Sequence, residues 1–265
     1  MYIVPKAYPN FKKNSHFLPK KYFIITSVPS VFPNSLWTVT SPLLYDEEKY
    51  RKEEKLMKVL LVNGSPRKEG NTYFALRQIA DVLESQGVDT EIFWIGNEPI
   101  NGCVMCGGCR ETKRCALGGV VTEFQEKAQH ADGFVFGAPV HFAGPAGNFC
   151  SFMDRLFYSC SSDGKTLYMK PAAAITVARR AGTSASLDRI NKYITYAHMP
   201  LISSSYWNVI FGAKKGEVMQ DEEGMQIMRN VGLNMAYVLR CIKAGTDAGV
   251  ERPRREAPAR TNFIR

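Results

Sequence analysis

From Met57 onward, apolar and polar positions fall into two alternating kinds of block. Compact apolar runs occupy 58–63, 90–95, 133–137 and 172–178. Between them lie longer stretches with apolar residues every three or four positions, the spacing of a one-faced helix. The first such stretch runs from an expected Asn71 cap to about Gln86. It places Leu76, Ile79, Ala80 and Leu83 on one face and stops at Gly87. Helices are also expected over about 121–130, near 145–160 and over about 221–244. The last has an apolar stripe of Met228, Val231, Met235, Val238 and Ile242. A fifth strand is expected near 201–206.

Strands alternating with helices argue for a parallel sheet covered on both faces. Five strands in this rhythm suit an α/β, doubly wound, flavodoxin-like sheet of order 2-1-3-4-5. Such a sheet binds ligands outside the carboxyl ends of strands one and three. The loops expected there are 64–71 and 138–145.

Residues 1–56 have no clean period, are rich in Pro and Ser, and end in a charge run from Asp46 to Lys55. They read as an extension, with Met57 as the expected natural start; a real arm packing on a partner subunit is the competing reading. The main domain is expected over 57–245 and a basic tail over 246–265, where Arg252, Arg254, Arg255, Arg260 and Arg265 cluster.

The chain of 265 residues is 45% hydrophobic and 22% charged, which marks it as globular rather than disordered. Its net charge of +9 is scattered and accompanies no nucleic-acid-binding motif. A preference for anionic small molecules is expected instead, with no nucleic-acid partner. No apolar run is long enough to span a bilayer, and no signal peptide fits well, so a cytoplasmic protein without membrane attachment is expected.

Chemistry enters first at Asn63-Gly-Ser-Pro-Arg-Lys-Glu-Gly-Asn-Thr72. A buried strand feeding a polar loop and then a helix N-terminus presents free amides to an anion. Ser65 and Thr72 add hydroxyls, and Arg67 and Lys68 add charge. No Gly-Lys-Ser/Thr closes the loop and no Gly-x-Gly-x-x-Gly opens it, so it reads as a mononucleotide site, with FMN the expected occupant.

Four of the seven cysteines sit close together as Cys103-x2-Cys106-x2-Cys109-x5-Cys115, with Gly102, Gly107 and Gly108 to turn the chain. Four thiolates so spaced can surround one soft metal centre, and a 4Fe-4S cluster is the leading reading. Zinc, redox-active thiols, a disulfide and a loop that binds nothing remain as alternatives. Cys150, Cys160 and Cys241 fall on expected helices and read as buried, inert thiols. His141 reads as a packing or hydrogen-bonding residue, and Asp154-Arg155 as a cap or interhelix ion pair. Trp94 and Trp207 read as core or rim aromatics.

Taken together, Gly64-Ser-Pro-Arg-x-x-Gly-Asn-Thr72, the Cys103/106/109/115 loop, Ala131-Asp-Gly-x-x-x-Gly-x-Pro139 and Phe152-Met-Asp-Arg155 resemble the NADPH-dependent FMN reductase family. The iron–sulfur flavoprotein branch is the most similar part of it. Ser204-Ser-Tyr-Trp-Asn208 and Asp221-Glu-Glu-Gly224 fit the same group, and the resemblance covers about 57–245. It implies a flavodoxin-like fold, bound FMN, and homodimers or homotetramers. Ser65, Pro66, Arg67, Gly70, Asn71 and Thr72 would then bind the FMN phosphate. Pro139, Val140, His141, Phe142 and Gly144 would line the isoalloxazine ring, and Arg179, Arg180 and Gly182 would border it. Cys103, Cys106, Cys109 and Cys115 would be the metal ligands. Two departures stand out: His141 replaces a frequent Tyr, and Ala-Leu-Gly-Gly-Val follows Cys115 in place of an acidic pair.

The expected activity passes electrons from NAD(P)H through FMN to a quinone, a flavin or the iron–sulfur centre, with the reactive chemistry on the cofactor and no catalytic side chain. A ferredoxin-linked electron carrier and a non-enzymatic thiol redox sensor are the rival expectations.

Overall fold

The computed structural model describes residues 56–257 together with 259, 261 and 263. The expected extension over 1–56 therefore lies, except for Leu56, outside the described residues, as do Arg260 and Arg265 of the tail. The expected boundary at 245 falls inside the last helix rather than at its end.

Among the described residues six strands form in chain order: β1 (Lys58–Asn63), β2 (Asp89–Trp94), β3 (Gly133–His141), β4 (Gly144–Pro145), β5 (Ala172–Ala178) and β6 (Val209–Phe211). The sheet order is β2-β1-β3-β5-β6, with β4 attached to β3 alone. Every pair is parallel except β3–β4, a short antiparallel hairpin. With that hairpin set aside, the order is the expected 2-1-3-4-5.

The helices are α1 (Asn71–Ser85), α2 (Cys109–Thr112), α3 (Val120–Gln129), α4 (Gly147–Asp163), α5 (Thr183–Tyr196) and α6 (Glu222–Asp247). The period-2 alternation of the strands sorts them into two layers. Leu60, Val62, Phe134 and Phe136 point to one face, against Phe124 of α3, Phe152 of α4 and Ile190 of α5. Val59, Leu61, Val135 and Ile175 point to the other, against Ile79 of α1 and Val231 of α6. Both faces are buried, which is why the central strands read as unbroken apolar runs. Gly232 of α6 permits the close approach of α1: a Cβ there would sit 2.9 Å from the Val82 Cβ.

Three expectations need correction. The fifth strand is 209–211, not 201–206. Leu201 makes only an isolated bridge to Ala172, and the chain then loops out through a turn closed by the Ser204 hydroxyl, which donates to the Tyr206 carbonyl at 2.7 Å. Asn208 anchors the return, its amide nitrogen donating to the Ala174 and Ile202 carbonyls at 3.0 and 3.3 Å. Next, α5 fills a stretch to which no element was assigned, although Leu187, Ile190 and Ile194 form a buried stripe at helical spacing. Finally, β3 continues through Pro139 to His141, because beyond the end of β1 it still pairs with β5 and with β4.

No helix among the described residues is long and apolar enough to cross a membrane.

Candidate functional site

The loop after β1 is tied by the residue that ends the strand. Asn63, fully buried, accepts from the Ser65 amide through Oδ1 at 3.1 Å and donates from Nδ2 to the Lys68 carbonyl at 2.8 Å. One side chain thus holds both arms of the loop. Ser65 Oγ accepts from the Arg67 amide at 3.1 Å, and the Gly64 amide donates to the Gly137 carbonyl at 2.8 Å. From β2, the Trp94 indole nitrogen donates to the Ser65 carbonyl at 2.8 Å. Gly64 is obligatory in this packing: a Cβ would lie 2.2 Å from a ring carbon of Phe149.

With these bonds made, the amides of Asn71, Thr72 and Tyr73 meet no acceptor among the described residues. They are the open donors of the first turn of α1, and they point into the loop. Ser65 and Thr72 are buried beside them, while Pro66 and Arg67 lie on the exposed rim and Gly70 is buried. Asn71 is not the cap, as expected, but the first helical residue. Gly70 holds the cap position without a side chain. The Asn71 carboxamide is engaged elsewhere, accepting from the Gly216 amide at 2.8 Å, and Lys215 pairs with Glu69 at 3.1 Å. The 212–216 loop is therefore a wall of this site.

The loop after β3 is a two-residue hairpin: Val140 pairs with Pro145 and His141 with Gly144. Phe142 and Ala143 at its tip both have positive φ, 50° and 60°. Tight hairpins demand this backbone, and Phe and Ala supply it without glycine's freedom, so the turn is held under strain. Pro139, Val140 and Gly144 are partly buried; His141 and Phe142 stand in solvent, Phe142 fully so. Gly182, at φ +85°, closes against this hairpin, for a Cβ there would lie 2.7 Å from the Ala143 Cα. The loops after β3 and β5 thus meet at the carboxyl edge of the sheet. Arg179 and Arg180 lie exposed on that edge.

The cysteine loop forms a second centre. Cys103, Cys106, Cys109 and Cys115 line one small pocket, together with Arg155 and Tyr158 of α4. Positive φ at Met105, Gly107, Lys113, Gly118 and Gly119 gives the loop its turns. All seven cysteines are unpaired. The thiols ring a space without converging on a point: among the described residues no three His, Cys, Asp or Glu gather closely enough to hold a single metal ion. Zinc needs such convergence, at about 2.3 Å from each sulfur. Four cysteine thiols around one pocket are, by their chemistry, a donor set of the kind that iron–sulfur clusters take.

The surroundings of the thiols are specific. The Arg155 Nε donates to Cys115 Sγ at 3.2 Å, and its terminal nitrogen donates to the Gly118 carbonyl at 2.6 Å. Ser162 Oγ approaches Cys109 Sγ at 3.8 Å. Gln125 accepts from the Cys115 amide at 3.1 Å and donates to Cys160 Sγ at 3.6 Å. Burial, reinforced by Asp163, pushes the Cys160 thiol up to about 12, so it stays protonated. Cys150 is raised as well, by burial first. Cys241, expected to be buried, is exposed on α6.

Asp154 and Arg155 do not pair with each other. Asp154 accepts from the Tyr193 hydroxyl and lies 3.8 Å from Arg189, both on α5, which is the interhelix pair expected of it. Gly216 is a site residue that the sequence did not point to, and Asn63, Trp94 and Arg155, visible in the sequence, take roles there that it did not assign. The position of Asn63 at the junction of an apolar run and a polar loop was the available signal.

A parallel sheet with a phosphate-type loop after its first strand defines a mononucleotide-binding protein of the flavodoxin-like class. The model of the NADPH-dependent FMN reductase family matches residues 57–214, and the chain belongs to that family, within its iron–sulfur flavoprotein branch. An iron-sulfur flavoprotein of Methanocaldococcus jannaschii is 29% identical over 194 residues, covering 71% of this chain and 100% of the relative. A second from the same organism is 30% identical over 192 residues, covering 68% and 96%. The solved structure of the flavoenzyme NAD(P)H:(acceptor) oxidoreductase of Paracoccus denitrificans superposes with a TM-score of 0.54 at 14% identity. It covers 70% of this chain and 98% of that one, and shares the fold. The family and its fold make this chain an FMN-type oxidoreductase.

Proposed function

We propose that the chain binds FMN with its phosphate in the 64–72 loop and its ring against Pro139, Val140, His141, Phe142 and Gly144, bordered by Arg179, Arg180 and Gly182. The open amides of Asn71, Thr72 and Tyr73 carry this reading. They sit under a loop braced by Asn63 and Trp94. FMN supplies two-electron acceptance with one-electron release. NAD(P)H is the proposed donor, and a quinone, a flavin or the cysteine centre the proposed acceptor. Cys103, Cys106, Cys109 and Cys115 would hold a 4Fe-4S cluster.

The chain's own part is binding and exclusion of water. Ser65, Thr72 and Arg67 orient the phosphate; the 140–145 hairpin, braced by Gly182, shields the ring. A homodimer or homotetramer is part of the proposal, with the exposed Phe142, Tyr206 and Trp207 as contact candidates. Unpaired thiols suit a reducing, cytoplasmic compartment.

A second reading, electron transfer from an acidic ferredoxin, is favoured by the exposed Arg110, Lys113 and Arg114 on the cysteine loop.

Protein purified without oxygen should carry a flavin spectrum, iron and sulfide. Arg67→Ala should weaken FMN binding about tenfold, the loss of one charge-assisted contact. Riboflavin, lacking the phosphate, should be unaffected. Absence of saturable FMN binding would overturn the proposal. Rapid reduction by ferredoxin but by neither nicotinamide would select the second reading.

A further inference from the structure

We infer that Arg155 is the positioning residue that sets the reduction potential of the cysteine centre. The inference rests on the proposed iron–sulfur occupancy of that centre and goes beyond it.

Arg155 is 6% exposed and projects from α4 into the cavity lined by the four cysteines. Among the described residues no carboxylate lies within ion-pair distance of it. The adjacent Asp154 faces Arg189 and Tyr193 instead. Its two contacts are the Cys115 sulfur and the Gly118 carbonyl. A buried guanidinium without an anion is costly, because desolvation of the charge is not repaid by neutral acceptors alone. A thiolate ligand of an iron–sulfur centre provides that anion. The direction of the bond matters too: hydrogen bonds and positive charge at a ligand sulfur stabilise the more negative, reduced state and raise the potential.

The same side chain fixes the loop. Its Nε reaches the fourth cysteine while its terminal nitrogen reaches the carbonyl three residues later, bridging the tight turn at Gly118 and Gly119. Only the guanidinium fork makes both bonds at once; a lysine retains the charge and loses the geometry.

The test compares R155Q and R155K with the wild type as anaerobically prepared holoproteins. The cluster midpoint is read by electron paramagnetic resonance during a redox titration, and bound FMN serves as the control for folding. In R155Q the ratio of reduced to oxidised cluster at a fixed potential should fall about tenfold, which is about 59 mV for a one-electron couple. R155K should fall between the two, and the flavin midpoint should not move. An unchanged cluster midpoint in R155Q with full iron overturns the inference. If R155Q does not retain flavin or iron, R155K decides: a midpoint equal to that of the wild type overturns it. A wild-type protein that takes up no iron and sulfide sinks the underlying reading of the cysteines instead.

Discussion

Trp94 on β2 and Ser65 in the loop after β1 are 29 residues apart and are joined by one bond, from the indole nitrogen to the Ser65 carbonyl at 2.8 Å. This bond holds the loop from outside, so its inward donors need not turn to protein acceptors. Trp94→Phe keeps the ring and leaves the carbonyl unpaired, at a cost of about 1–3 kcal/mol. FMN affinity should fall about tenfold, read by quenching of flavin fluorescence on titration. Unaltered affinity would show that the loop holds its shape without the indole.

The contact between Gly182 and the 140–145 hairpin should make that glycine irreplaceable. Gly182→Ala meets the Ala143 Cα at 2.7 Å and strains a φ of +85°. Gly249 has nearly the same φ, +86°, with nothing within 4 Å of its Cβ position, and so isolates the backbone cost. Gly249→Ala should cost about 1 kcal/mol and Gly182→Ala about 2–4 kcal/mol, with correspondingly lower thermal midpoints. Equal losses would mean that the hairpin yields freely.

Lys170 gives a pH signature. It is 8% exposed and donates to the Ala128 carbonyl at 3.0 Å. Burial lowers its ammonium from 10.5 to about 8. Between those values the unfolded chain holds a proton that the folded chain has released, so this group's contribution to stability rises with pH across the window and is flat below it. Lys170→Met removes the effect. The difference in unfolding free energy between wild type and variant should move in the wild type's favour from pH 8 to 10.5. Chemical denaturation at several pH values measures it, and a constant difference would show that the ammonium titrates normally.

The cysteines should separate by reactivity. Exposed Cys106 and Cys241 should be alkylated rapidly in native protein lacking a bound metal centre. Cys160, buried and pushed up to about 12, should resist until the fold opens. Mass spectrometry after timed iodoacetamide treatment gives the order. Early labelling of Cys160 would show that α3 and α4 open locally.

Most of the sheet was legible because its central strands are buried on both faces and their apolar runs stand out. The phosphate loop was legible because Gly64-Ser-Pro-Arg lies between a strand and a helix. The strand at 209–211 was not, since three residues carry no period and the apolar residues near 201–206 are more conspicuous. Asn71 suits a helix cap by type, yet it was displaced because its carboxamide meets a loop 145 residues away.

Local pattern alone therefore determined the strand–helix rhythm, the phosphate-type loop and the gathering of four cysteines, because each is written in neighbouring residues. Only the folded chain decided that Asn63 and Trp94 would hold the loop open. It likewise turned Arg155 onto Cys115 and brought Gly182 against the Ala143 hairpin. Those contacts join segments distant in sequence, and their geometry depends on how β1, β2, β3, β5 and α4 come together.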